Sequence, residues 1–126
     1  MSSGSQHPTD ICERTFEFAA RIVKLCQTLT KRPAPEEGRL LAKQLFRAGT
    51  SIGANTEEAQ ASQSKADFIA KISIACKEAR ETLYWLRLLA RCEIIPKKRL
   101  ERITDEANQL TAILTAIIRK SRNNPE

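Results

Sequence analysis

Four separate runs of this chain carry apolar residues at alternating steps of three and four, and no run alternates with period two. That spacing puts each set on one face of an α-helix, so the chain has four faces to bury and no strand to bury them against. The first set is Ile11, Thr15, Phe18, Ile22, Leu25 and Leu29, and the second is Leu41, Leu45, Ala48, Ile52, Asn55 and Ala59. The third and longest is Phe68, Ile72, Ala75, Ala79, Thr82, Leu86 and Leu89, and the fourth is Leu100, Ile103, Ala107, Leu110, Leu114 and Ile117. Between them lie KRPAPEEG from Lys31, the serines Ser62 and Ser64, and Ile95 with Pro96, all short breaks. Short connections make consecutive helices antiparallel neighbours, so the predicted fold is all-α, an antiparallel up-down-up-down four-helix bundle.

Local signals place the boundaries. Asp10 and Glu13 have the spacing of a capping box for the first helix, which is expected to end near Thr30. Glu36 and Glu37 suit the start of the second, which runs to about Ala61, and Ser64 with Asp67 caps the third. Residues 1–9 read as a polar leader, 10–122 as one domain, and 123–126 as a frayed tail. Gly49 and Gly53 each cost roughly 1 kcal/mol against alanine inside a helix, so they mark a close approach by a neighbour.

Several function classes are expected to be absent. The four cysteines, Cys12, Cys26, Cys76 and Cys92, form no C-x-x-C pair, and His7 is the one histidine, so no metal or other cofactor is expected. Each cysteine falls in a helical pattern and reads as a small buried apolar group. Catalysis would need a nucleophile, a base and a group orienting the base. Ser51 and Glu58 share a helical face, but nothing mediates between them, and no glycine-rich loop joins a strand to a helix, so the chain is not read as an enzyme. No apolar stretch near Met1 resembles a signal peptide, and the run Leu83 to Leu89 is interrupted by Arg87 and too short to span a bilayer. The expected location is the cytoplasm, with reduced thiols and no membrane partner.

Three features remain as candidates for function. Arg47, Ser51, Asn55 and Glu58 form a polar seam beside the apolar face of the second helix; it is read first as a register-fixing network and second as a ligand surface. Ile74, Trp85 and Leu88 form a second apolar stripe on the third helix, among charges, and suggest a contact between subunits. Lys97, Lys98 and Arg99 crowd the first turn of the fourth helix with Arg102 nearby, where the dipole favours negative charge; an anion site would explain the conflict. The net charge of +6 is concentrated from Ser64 onward, where 13 Lys and Arg face 8 Asp and Glu. With aromatics at only 5%, any binding of RNA or DNA should be electrostatic and weakly selective for sequence.

The segments QLFRAGTSIGAN, from Gln44 to Asn55, and SKADFIAKISIACKEARETLYWLRLL, from Ser64 to Leu89, carry a resemblance. Over Ile11 to about Arg122 the chain resembles the four-helix bundle family named after proteins encoded in intervening sequences of bacterial 23S rRNA genes. Many members read asparagine, a small or aliphatic pair and then Glu-Gly, where this chain has Asn55-Thr56-Glu57-Glu58-Ala59 and no glycine. The resemblance implies a four-helix protomer, a ring-like homo-oligomer with a pentamer favoured, and no established enzymatic activity. Accessory proteins of diversity-generating retroelements, which look like distant relatives, bind nucleic acid and a reverse transcriptase. The expected function is therefore a non-enzymatic, oligomeric nucleic-acid-binding accessory or adaptor. The alternative is a protein-interaction scaffold whose charge keeps it soluble.

Overall fold

Helices α1 (Pro8–Lys31), α2 (Glu36–Gln60), α3 (Lys65–Arg91) and α4 (Lys97–Asn123) follow one another in the computed structural model, with no strand among the described residues. The structure describes residues 8–31 and 35–125. Most of the expected leader, the middle of the first connection and the last residue of the tail lie outside them. Each helix packs on the next, and α1 also meets α4, which closes a helical bundle. Neighbours run antiparallel: Cys26 of α1 donates to the Ala42 carbonyl near the start of α2, while Thr15 lies against Gly53 near its end.

Local chemistry explains most of the ends. Ser64 has extended backbone and its hydroxyl accepts the Asp67 N–H at 3.0 Å, the cap anticipated for α3. Lys71 donates to the Asp67 carboxylate at 2.9 Å and holds that group below the usual carboxylate range. Asp10 does not cap α1. The helix opens at Pro8, a residue suited to a first turn, so Asp10 already lies inside it. At the end of α3 the Glu93 N–H bonds the Ala90 carbonyl and the Ile94 N–H bonds the Leu89 carbonyl, at 3.1 and 3.0 Å. These are the two bonds of a Schellman motif, and Glu93, at φ 56°, takes the left-handed position that glycine usually fills.

Phe18, Ile22, Leu29, Leu45, Ile52, Ile72, Leu86, Leu89, Leu100, Leu110 and Leu114 fill the core. Three threonines are buried among them, and each satisfies its hydroxyl on its own helix: Thr15 on the Cys12 carbonyl, Thr56 on Ile52 and Thr82 on Glu78. The face of α2 departs from expectation. Ala42 and Thr56 are buried where Leu41 and Asn55 were expected, and those two are only half-buried. The reason lies in Gly49 and Gly53, which draw α2 onto α1. A Cβ on Gly53 would stand 3.1 Å from the Thr15 carbonyl oxygen, and one on Gly49 would stand 2.8 Å from Ile22 Cγ1. Gly53 thus faces a neighbouring backbone, as anticipated, whereas Gly49 makes room for a side chain.

The cysteines also divide. Cys26 and Cys76 are buried, Cys12 is half-buried, and Cys92 is exposed in the turn after α3, contrary to its expected burial. No described helix is long and apolar enough to cross a membrane.

Candidate nucleic-acid interface

The outward faces of α3 carry opposite charges. Ser73, Lys77, Arg80, Tyr84, Arg87 and Arg91 recur at steps of four and three, so they occupy one stripe, and from Lys77 onward every member of it is exposed. It contains four cations, one aromatic ring and no carboxylate. Over 14 residues at 1.5 Å each, Lys77 to Arg91 spans roughly 21 Å.

Glu78 and Glu81 of α3 are held on the other side of the helix by Arg47 of the polar seam. Arg47 of α2 pairs with Glu78 at 3.2 Å and also with Glu81. Glu81 in turn accepts the indole N–H of Trp85 at 3.1 Å. The predicted seam and the predicted apolar stripe therefore meet across the α2–α3 groove. The rest of the seam is satisfied along its own helix: Ser51 donates to the Arg47 carbonyl at 2.7 Å, and the Asn55 amide donates to the Ser51 carbonyl at 2.9 Å. Asn55 is half-buried with its amide paired, and Glu58 is exposed. Of the stripe, Ile74 is exposed, whereas Trp85 and Leu88 are half-buried. Trp85 packs against the core and meets the Tyr84 ring edge-on, with centroids 5.0 Å apart. The three residues thus do not form one continuous exposed patch.

Two concavities flank the basic stripe where α4 lies alongside. Near the α3–α4 turn, Tyr84, Arg87, Leu88, Arg91, Glu93 and Lys97 line a cleft. Towards the other end, Arg80 joins Arg119 and Arg122 of α4 in a groove with Ser73, Cys76 and Thr115. The predicted cation cluster divides between faces, because successive helical residues point about 100° apart. Lys97 enters the cleft, while Lys98, Arg99 and Arg102 are exposed on other parts of the helix. The Arg99 N–H is occupied by the Pro96 carbonyl at 3.0 Å, so the first turn offers fewer amides to an anion than the sequence suggested.

Sequence reasoning passed over Arg80, Tyr84, Arg87 and Arg91 because it followed the apolar stripes. The same spacing test applied to cations would have found them. Arg119 and Arg122 lie near the carboxyl end of α4, where the helix dipole by itself favours cations, and only the pairing of α3 with α4 brings Arg80 beside them.

The arrangement defines a helical-bundle protein with a basic outer face. Among the described residues no group of His, Cys, Asp and Glu could hold a metal ion. The chain belongs to the 23S rRNA-intervening sequence protein family, which it matches over residues 8–116. It is similar to the 1.70 Å crystal structure of a protein of unknown function from the S23 ribosomal protein family of Bacteroides thetaiotaomicron VPI-5482. The two share 42% sequence identity and a TM-score of 0.82, covering 89% of this chain and 97% of that one. No curated protein matches.

Proposed function

We propose that this protein is a non-enzymatic accessory that binds nucleic acid electrostatically through the outer face of α3 and α4. The observation that carries the reading is the separation of charge on α3. Glu78 and Glu81 are drawn to Arg47 on the α2 side, leaving Lys77, Arg80, Arg87 and Arg91 together around Tyr84. The stripe is long enough to run beside several consecutive phosphates of a single strand, and an exposed tyrosine offers a stacking surface to a base. Nothing on this face forms a base-reading set, so the binding is weakly selective for sequence.

The proposal includes a ring-like homo-oligomer, a pentamer, in which symmetry repeats the basic face and multiplies weak protomer contacts. Exposed Ile74, Leu40, Phe16 and Phe46 supply apolar surface for subunit contacts. Light scattering at micromolar concentration tests this part, and a monomer would refute it.

Binding to mixed single-stranded RNA and DNA, followed by fluorescence anisotropy across a salt series, tests the main reading. Engagement of four to seven cations gives a slope of log affinity against log salt of about −3 to −5. Replacing Arg80, Arg87 and Arg91 together with glutamine should flatten that slope. A protein-interaction scaffold would show no binding by the parent at low salt.

A further inference from the structure

We propose that Arg80, Arg119 and Arg122 form a subsite for the terminal phosphate of a strand, distinct from the part of the basic face that follows the backbone. The inference rests on the nucleic-acid reading above and assigns one end of that face a separate task. The groove these residues line holds about 310 Å³, ample for a phosphate group and part of its sugar. Ser73, Thr115 and Asn123 add neutral polar groups to it, and its lining contains no carboxylate. None of the three arginines has a carboxylate partner among the described residues, whereas Arg14 and Arg47 are both paired.

The charge of the groove selects among phosphates. A diester in mid-strand carries one negative charge and two non-bridging oxygens. A terminal monoester approaches two charges at neutral pH and presents three oxygens. Three guanidinium groups, each with planar paired donors, fit the monoester better than the diester. Mid-strand phosphates are served by Arg87, Arg91 and Lys97 at the other end of the face, where Glu93 shares the cleft and lowers the net charge.

Two features prepare the groove. Arg80 Nη1 lies 3.3 Å from Cys76 Sγ, which is itself 3.3 Å from Thr115 Oγ1, so the guanidinium is positioned across the helix interface. The carboxyl end of α4 would repel an anion, but Lys65 donates to the Asn124 carbonyl there and offsets part of that field.

The test compares the intact protein with one ten-nucleotide single strand in 5′-phosphorylated, 3′-phosphorylated and hydroxyl-ended forms. A terminal phosphate at one of the two ends should tighten binding by about tenfold, the size expected for added charge-assisted hydrogen bonds. Arg80→Gln, or Arg119→Gln with Arg122→Gln, should bring the phosphorylated strand to the affinity of the hydroxyl-ended one, with helix content unchanged by circular dichroism. Equal affinities of the parent for all three strands would overturn the subsite and leave the nucleic-acid reading intact. If no strand binds, that reading fails, and titration with a nucleoside monophosphate against the nucleoside decides the subsite alone. Preference for the monophosphate, lost in Arg80→Gln, would support it, and no preference would overturn it.

Discussion

The indole N–H of Trp85 donates to the Glu81 carboxylate one helical turn earlier, at 3.1 Å, and Arg47 reaches the same carboxylate from α2. One acidic group thus joins the polar seam to the apolar stripe. Exposed ion pairs contribute about 0–1 kcal/mol, so Glu81→Ala should cost no more than about 1 to 1.5 kcal/mol once the indole bond is included. Trp85 is the one tryptophan, which makes the change readable. Its emission should shift to the red in Glu81→Ala, and an unchanged spectrum would mean that the indole bond does not persist in solution.

Gly49 and Gly53 give a second prediction. Alanine gains about 1 kcal/mol over glycine in a helix interior, yet Gly49 lacks room for a methyl group and Gly53 is tight for one. At Gly49 the new Cβ would meet Ile22 Cγ1 and Cγ2 at 2.8 and 2.9 Å, near the stiff branch point of a fully buried side chain. Gly49→Ala should destabilise by about 1 to 3 kcal/mol in urea, the usual cost of overpacking. Gly53→Ala, facing the Thr15 backbone at 3.1 to 3.3 Å, should cost less. Combining Gly49→Ala with Ile22→Ala should cost less than the sum of the two, because the second substitution removes the clash. A higher melting temperature for Gly49→Ala alone would contradict the close approach.

These glycines also show how far the sequence could be read. The Ser64 cap and most of the faces of α1, α3 and α4 follow from local spacing, although Leu25, Phe68 and Ile117 at the margins of those faces are only half-buried. On α2 the hydropathy pattern favoured Leu41 and Asn55 as buried, because glycine carries no hydropathy signal even when it forms the tightest contact. The contact with α1 turns the helix so that Ala42 and Thr56 point inward. Half of the candidate site, the stripe on α3, was equally local. The arginine groove was not, since Arg80 and Arg119 meet only through the register in which Cys76 faces Thr111 and Thr115.

Burial pushes the Cys26 thiol from its ordinary 9.0 up to about 11, and its S–H donates to the Ala42 carbonyl at 3.4 Å. The folded state therefore holds this proton more tightly than the unfolded chain. The resulting stability is complete below pH 9 and is lost as pH rises towards 11, by about 2 to 3 kcal/mol at the upper end. Cys26→Ala removes this contribution, so its stability should fall less steeply than the parent's over that range. In the native protein a thiol reagent should modify exposed Cys92 first and reach Cys26 only after unfolding. Parallel alkaline profiles for parent and variant would refute the assignment.

Glu93 occupies a left-handed backbone position that costs an L-residue roughly 1 to 2 kcal/mol, and its carboxylate shares the cleft with Arg87, Arg91 and Lys97. The two effects are separable. Glu93→Gln removes the charge and keeps the strain, whereas Glu93→Gly removes both. Both variants should bind single strands more tightly than the parent at low salt. Only Glu93→Gly should also gain stability, by ~0.5 to 1 kcal/mol over Glu93→Gln after allowing for glycine's freedom in the unfolded chain.

The first turn of α4 separates stability from binding. It contains no acidic residue, Pro96 makes no side-chain cap bond, and Lys97, Lys98 and Arg99 stand where the helix dipole favours negative charge by ~0.3 to 1 kcal/mol per group. Glutamate at any of the three should therefore leave the melting temperature unchanged or raise it. Binding should respond differently, because Lys97 alone of the three lines the cleft with Arg87 and Arg91. Lys97→Glu should weaken binding to single strands and reduce the salt slope by about one. The pair Lys98→Glu with Arg99→Glu should change affinity less than Lys97→Glu does, despite altering twice the charge. The reverse order would move the contact surface off the α3–α4 face and onto the exposed start of α4.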